Sequence, residues 1–492
     1  MSGLNFREAY SLIDLFVDAI KLTDHGFEMD YTDNGRSAYH PSDLLKLFIY
    51  GYLNRIRSSR GLEKECKRNI ELMWLMRGLV PDHNTIANFR KENPKAIRKI
   101  FHSTVSLAKN FDLIGAKLLA GDSTKLRAKN SKKNNFNPAR IERHITYIDI
   151  KLEEYNQLLA AQDKDIDQIK RAEIEQKMAK HLIQKNRYQS FQKILDETGE
   201  TQISTSDPDS RQLITRNNIT EVAYNIQTTV DAEHCLAVDY KVTNQNDSKA
   251  MGNMVRRAKA ILGTSSFTLL YDKGYHTGTE FDYAHKQGVE VMVAIPEVAS
   301  HAPDIAFDVA NFRYDKLKDN YVCPAGETLT TNGIWYFKKH GKTTNRMKHY
   351  KTKACHSCPC FERCTKNKAG RLIERTEHAE VIEANKLRIE LNKELYRKRQ
   401  AIVEHPYGII KRQWGFNYIM TKKTIKHASA DVGLLFTAFN LRRIFNIIDH
   451  EMLKKYLKVL ANFFLAVSSN FKYLYAQVFL GINILPRKLT SF

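Results

Sequence analysis

The sequence predicts an α/β protein, a mixed sheet preceded by an all-helical module. Two observations carry this. Residues 1 to about 115 repeat apolar side chains at helical spacing, and from Lys117 onward short apolar runs and alternating stretches take over. At 492 residues, with 42% hydrophobic and 27% charged side chains, the chain can build a sizeable core in more than one domain.

In chain order, Leu45, Phe48, Ile49 and Leu53 follow the cap-like Pro41-Ser42-Asp43, and Ile70, Leu72, Leu75 and Met76 form a second stripe. Residues 1–115 therefore read as an N-terminal helical domain. Lys117 to Asp122 predicts a short buried strand ending at the aspartate. Ile141, Ile145, Ile148, Leu152, Tyr155 and Leu159 then alternate by four and three, a coiled-coil seam. After a polar break at Gln162 to Asp165, Ile166, Ile169, Ile174 and Met178 begin a second helix, so residues 130–200 read as an inserted helical hairpin.

Strands resume after the turn-rich Ser206-Asp207-Pro208-Asp209. Val222, Tyr224, Ile226, Thr228 and Val230 alternate, as do Leu236, Val238, Tyr240 and Val242, which predicts a β-hairpin. Asp247 to Leu262 reads as a helix with Asp247 as its cap. Ser266 to Tyr271 and Val289 to Ile295 read as strands. Strand, hairpin, helix, strand, helix, strand is the order of a ribonuclease H-like mixed sheet. That core takes residues 116–307 with 377–447, residues 308–376 interrupt it, and the apolar, basic tail 448–492 has no assignment.

Lys and Arg total 77 against 55 acids, a net charge of +22. Between Trp335 and Arg375 twelve Lys/Arg face two acids, Glu362 and Glu374. Ribosomal, membrane-surface and nuclease proteins share such a balance, so charge alone does not select nucleic acid. Met1 to Glu8 carries no long apolar run, and the most apolar stretch, Val459 to Val467, is shorter than the roughly 20 residues that span a bilayer. Seven cysteines in a chain of this length make no disulfide framework. A cytoplasmic protein without a membrane segment is expected.

Asp122 and Asp272 each end an apolar run, and Glu404 stands in the basic stretch from Tyr396 to Lys411. Carboxylates from separate elements can hold two magnesium ions about 3.5–4 Å apart, the arrangement that activates water and neutralises a phosphodiester. A single strand-end aspartate is more often a turn former or cap, and a lone cation on a helix is often part of a solvated face.

Several motifs occur together in one order: His40-Pro41 with Ser58-Ser59-Arg60-Gly61, Pro81 to Arg90, Gly121-Asp122-Ser123-Thr124, Ser206 to Arg211, Tyr224 to Gln227, Asp272-Lys273-Gly274-Tyr275, Val403 to Gly408, and Ala438 to Arg443. On these the chain resembles the DDE-type transposases of bacterial insertion sequences, in the branch with an internal cysteine cluster. The resemblance implies a ribonuclease H-like fold with Asp122, Asp272 and Glu404 as the metal-binding triad for Mg2+ (or Mn2+). It matches Tyr396, Arg399, Glu404 and Lys411 to a signature whose basic members grip DNA phosphates. Arg399 and Glu404 have four residues between them, one more than in the better-known members, whereas Glu404 and Lys411 keep the expected six. An unbroken helix would bring residues 404 and 411 to one face, and Pro406 either starts a new helix or kinks the old one.

Five of the seven cysteines fall between Cys323 and Cys364. The two-residue gap of Cys355 and Cys358 suits one tetrahedral ion, with Cys323 and Cys364 completing a structural Zn2+ site and Cys360 left spare. A metal-free remnant is the other reading. The surroundings lack the strand-to-helix pattern of a redox pair. The basic setting lays this insert along DNA.

Arg60, with Ser58 and Ser59, and Arg90, at the end of the Pro81 stretch, are candidates for reading terminal repeats. For Asn84, Thr85 and Asn88, capping and packing a helix is the competing reading. Tyr224 and Tyr275 could stack on a base, but core packing is the expectation. His83 and His276 read as structural.

The expected activity is DNA cleavage at element ends, leaving a 3′ hydroxyl that attacks a second strand. Expected partners are double-stranded DNA, as terminal inverted repeats and target, and a second copy of the chain on paired ends. The alternatives are a catalytically inactive DNA-binding derivative and a nuclease or resolvase that cuts without joining.

Overall fold

The computed structural model describes residues 6–28, 39–161, 168–215, 219–296, 302–340, 343–421 and 423–462. The expected break at Gln162 to Asp165 and the tail beyond residue 462 lie outside them.

Seven helices come first: α1 (Phe6–Asp18), α2 (Leu22–His25), α3 (Pro41–Leu53), α4 (Ser59–Cys66), α5 (Ile70–Leu75), α6 (His83–Glu92) and α7 (Pro94–Asn110). Then come β1 (Leu118–Arg127), β2 (Asn135–Phe136), α8 (Pro138–Ala161), α9 (Gln168–Thr198), β3 (Ile203–Ser204), β4 (Arg211–Ile214), β5 (Thr220–Asp231) and β6 (Ala237–Thr243). Next are α10 (Met251–Leu262), β7 (Thr268–Tyr271), α11 (Gly278–Lys286) and β8 (Glu290–Val293). Strands β9 (Arg313–Asp315), β10 (Asn320–Val322), β11 (Thr328–His340) and β12 (Thr343–Lys351) precede α12 (Phe361–Cys364) and β13 (Ile373–Thr376). The described elements close with α13 (Ala379–Leu391), α14 (Lys393–Tyr407), a π-helical turn (Gly408–Gln413), α15 (Ile425–Ile447) and a helical segment over 450–462.

Two compact units result. One comprises Met1–Gly115, Ser123–Asn246 and Val403–Phe492, the other Ala116–Asp122 and Asp247–Ile402.

The first unit is built around α15, whose run from Ala428 to Leu441 is almost wholly buried. A helix apolar on every side has to be enclosed, and α3, α6, α7 and β6 enclose it. At Gly433 a Cβ would come within 2.5 Å of the Tyr240 hydroxyl and 2.9 Å of Ile97, so only glycine lets the neighbours approach this closely. The N-terminal helices start where local chemistry dictates. Pro41 and Pro94 open α3 and α7, and the Asp82 carboxylate accepts the backbone N–H of Asn84 (2.8 Å) and Thr85 (3.1 Å) to cap α6. In the sheet of this unit β5 lies beside β1 and pairs antiparallel with β4 and with β6, Thr228 opposite Tyr240, as the alternation predicts. The seam residues Ile141 and Ile148 are buried between α8 and α9, over a small core of Phe136, Ile141 and Leu195.

In the second unit β1, β7 and β8 run parallel in that order. Asn385 of α13 satisfies both the N–H (2.8 Å) and the C=O (2.9 Å) of Val293, tying that helix to the end of β8. A separate antiparallel sheet, ordered β13-β12-β11-β10-β9, packs Phe312, Tyr321, Leu329, Tyr350 and Ile373 together.

Candidate active site

The parallel register of β1 and β7 sets Leu118 opposite Thr268 and Ala120 opposite Leu270. The paired register ends there, two residues before Asp122 on the one strand and before Asp272 on the other. The two strands then diverge in character. After Tyr271 the chain turns into a short 3-10 helix, Lys273–Tyr275, which Asp272 caps by accepting the Gly274 N–H at 2.9 Å. Strand β1 does not end at Asp122, as its apolar run predicts, but continues to Arg127. Beyond the aspartate β1 buries only alternate side chains, Thr124 and Leu126, so the strand goes on without a continuous apolar run.

Gly121 makes this arrangement possible. A Cβ there would lie 2.1 Å from the ring of buried Tyr271, which in turn packs on Tyr275 at 4.5 Å between ring centroids. Tyr275 and Tyr224 are both buried, in line with core packing, and the Tyr224 hydroxyl donates to Asp207 at 2.6 Å.

Helix α14 brings two signature residues to these strand ends. Arg399 Nη1 stands 3.2 Å from Asp122 Oδ2, and the Tyr396 hydroxyl donates to the Tyr271 carbonyl at 2.8 Å. Burial raises the Tyr396 pKa, Arg399 opposes the rise, and the charge of Asp272 adds to it. A third acid, Asp247, approaches the same turn: its Oδ2 lies 3.8 Å from where a Gly274 Cβ would be. It is not the cap expected of it. The N-cap of α10 is Ala250, without a side-chain bond, because a 3-10 turn over Asp247–Lys249 intervenes.

Glu404 is exposed on α14, between buried Val403 and Pro406. Pro406 neither starts a new helix nor stops the old one. Lacking an N–H, it removes one rung of the ladder, and the helix widens into the π-helical Gly408–Gln413, so residues 404 and 411 do not share a continuous α-helix. Lys411, in that turn, donates to Thr124 Oγ1 (3.0 Å) and the Lys125 carbonyl (3.2 Å).

The DNA-contact expectations divide. Arg60 is exposed on α4, whose N-cap is Ser58. Arg90 is not available to DNA: it is 4% exposed and donates to the Tyr52 hydroxyl, the Arg57 carbonyl and Asp431. Asp431 is fully buried, with Arg57 at 2.7 Å, the Met420 N–H at 2.7 Å and the Tyr52 hydroxyl as further partners. Other motif residues also serve the fold. Asp209 accepts the Ile425 N–H at the start of α15 (2.7 Å), and Asn440 bridges the backbone of Ala237 to Thr104.

Cys323, Cys355, Cys358 and Cys364 line one small cavity with Phe307, Phe312 and Phe361, whereas Cys360 does not line it. Burial raises the Cys364 thiol pKa, Arg371 opposes, and Cys355, Cys323 and Cys358 add to the rise. Among the described residues no group of three or more His, Cys, Asp or Glu is drawn tightly enough to hold an ion as it stands. No described helix is long and apolar enough to cross a membrane.

Two family models match. "Transposase domain (DUF772)" covers residues 5–92, which include Arg60 and Arg90, and "Transposase DDE domain" covers residues 322–445, which include Glu404, the signature residues and the cysteines. No curated protein sequence matches the chain. Among solved structures, the piggyBac transposase synaptic complex with hairpin DNA is 9% identical, covering 100% of this chain and 87% of that one at a TM-score of 0.32. The Mos1 transposase paired-end complex with left transposon end is 11% identical, covering 57% and 65% at a TM-score of 0.15.

Proposed function

We propose that this chain, which two transposase family models match in part, is a DDE transposase of the insertion-sequence kind that cuts double-stranded DNA at the element's terminal inverted repeats and joins the freed 3′ end to target DNA. The observation that carries the reading is the parallel pairing of β1 and β7, each running into one of the two aspartates, with Arg399 on Asp122. Asp122, Asp272 and Glu404 are the acids proposed to hold Mg2+ or Mn2+; their hard oxygen donors suit either ion. When bound, such ions supply water activation and charge neutralisation on the phosphate.

The chain's own side chains do the rest. Tyr396, braced on the Tyr271 carbonyl, and Arg399 stand over the strand ends, where a phosphate oxygen can replace a carboxylate as partner of the guanidinium. Lys411 supplies a further cation against β1, and Arg60 an exposed one on α4. Support for a ribonuclease H-like core comes from three parallel strands in one unit and an antiparallel hairpin in the other. The shared cavity of Cys323, Cys355, Cys358 and Cys364 supports a structural Zn2+ site within a basic insert lying along DNA. The proposed working form is a homodimer on paired ends, acting on DNA in the cytoplasm at the nucleoid, a reading that rests on the family.

The test is cleavage of an end-containing duplex with Mg2+, followed by joining to a target plasmid. Wild type should cut and join, while Asp122→Ala and Asp272→Ala should bind but not cut. Equal cleavage by all three would end the assignment of the acids. Cutting without joining would favour a nuclease.

A further inference from the structure

Near the end of β1 the chain builds a groove whose cations belong to no motif named above. It is open, about 390 Å3 in volume, and lined by Arg127, Lys129, Lys132, Glu221 and Tyr418 among others. We propose that this groove binds the sugar-phosphate backbone of duplex DNA; the proposal rests on the reading of the chain as a DNA enzyme and adds a binding site to it.

Three cations face one acid, and Glu221 stands 3.7 Å from Arg127 across the groove. Lys129 and Lys132 are exposed. A site for a small carboxylate or a protein acid would need few donors in an enclosed pocket. An open, net-positive trough instead complements a polyanion.

The floor is fixed in advance. Residues 417–419 run beside the end of β1: the Arg127 N–H donates to the Asn417 carbonyl at 3.0 Å, and the Ile419 N–H to the Arg127 carbonyl at 2.8 Å. Beneath them, buried Arg57 donates to the Tyr418 carbonyl at 2.8 Å, and its guanidinium carbon lies 5.4 Å from the Tyr418 ring. Lys129 Nζ sits 4.3 Å from the centroid of that ring. Tyr418 therefore holds the lysine at the groove while the buried Arg57–Asp431 pair holds Tyr418, and little ordering remains to be done when a phosphate arrives.

The experiment is fluorescence anisotropy of the full chain with an end-containing duplex at several salt concentrations. It compares wild type, Arg127→Ala/Lys129→Ala, and a charge-matched control, Arg256→Ala/Lys259→Ala, placed in a different basic depression. Loss of two phosphate contacts should flatten the slope of log K against log salt by about 1.8 and weaken binding roughly ten- to a hundredfold at moderate salt, with the control near wild type. Thermal melts of the groove variant should match wild type, because Arg127 and Lys129 are exposed. A groove variant that keeps the wild-type slope, or a control that falls equally, overturns the groove alone. Wild type without salt-dependent binding overturns the groove together with the DNA reading beneath it.

Discussion

Arg399 Nη1 lies 3.2 Å from Asp122 Oδ2, so the carboxylate proposed as a metal ligand is already engaged by a cation from α14. The pair is mostly buried, with side chains 17% and 23% exposed. A divalent ion taking Asp122 Oδ2 competes with this guanidinium. Arg399→Gln should therefore bind Mn2+ about two- to fivefold more tightly by calorimetry, since such a pair is worth up to about 1 kcal/mol. The same variant should cleave more slowly, having lost a phosphate contact. Weaker Mn2+ binding would mean that Arg399 supports the site and does not compete for it.

Gly121 touches the ring of Tyr271, and the two residues precede the two aspartates. Gly121→Ala should cost about 1–3 kcal/mol through overpacking, with cleavage falling further than stability because both strand ends shift. Gly408→Ala, with nothing within 4 Å of the added methyl, is the control and should leave the melting temperature almost unchanged. Equal melting of the two variants would contradict the close approach.

Asp431 joins α15 to the N-terminal helices through Arg57, Arg90 and Tyr52. Burial pushes its pKa up, but Arg57 and Arg90 outweigh this and hold it below the usual carboxylate range. A depressed folded pKa gives stability that is present above the unfolded value of about 3.9 and lost as pH falls through the folded value. Urea titrations should find Asp431→Asn less stable by about 3–5 kcal/mol at neutral pH, with the gap closing in acid. A gap that stays constant down to pH 3 would refute the ion-pair account.

Arg90→Ala should likewise unfold at lower temperature, because it leaves Asp431 with one fewer buried partner. If instead it melts like wild type and loses DNA affinity, Arg90 is a DNA contact after all.

For the cysteines, elemental analysis should find about one zinc per chain. Cys358→Ser should abolish it and Cys360→Ser should preserve it, because only the former lines the shared cavity. Retention of zinc by Cys358→Ser would rule out the four-thiolate set.

The helical start, the hairpin of β5 and β6, the paired helices α8 and α9, and the strands before Asp272 and after α11 were legible from periodicity. The position of Asp122 was legible too, but not its place within a strand that runs on to Arg127. A continuous apolar run marks only the first half of β1, because beyond Asp122 the strand buries alternate side chains, Thr124 and Leu126. The signature around Glu404 was legible as a motif, whereas the π-helical turn after Pro406 was not.

What the amino-acid order determined by itself is local: where helices begin, which strands alternate, and which residues come just before and after each aspartate. These follow from capping, side-chain spacing and turn chemistry within a few residues. Tertiary structure alone decided the fate of the cations. Arg90 and Arg60 are equally basic in the sequence, yet one meets Asp431, 341 positions away, inside the protein, and the other stays exposed. Likewise, nothing local to Lys129 announces Tyr418 beneath it. A charge takes its role from what packs against it, and those partners come from distant parts of the chain.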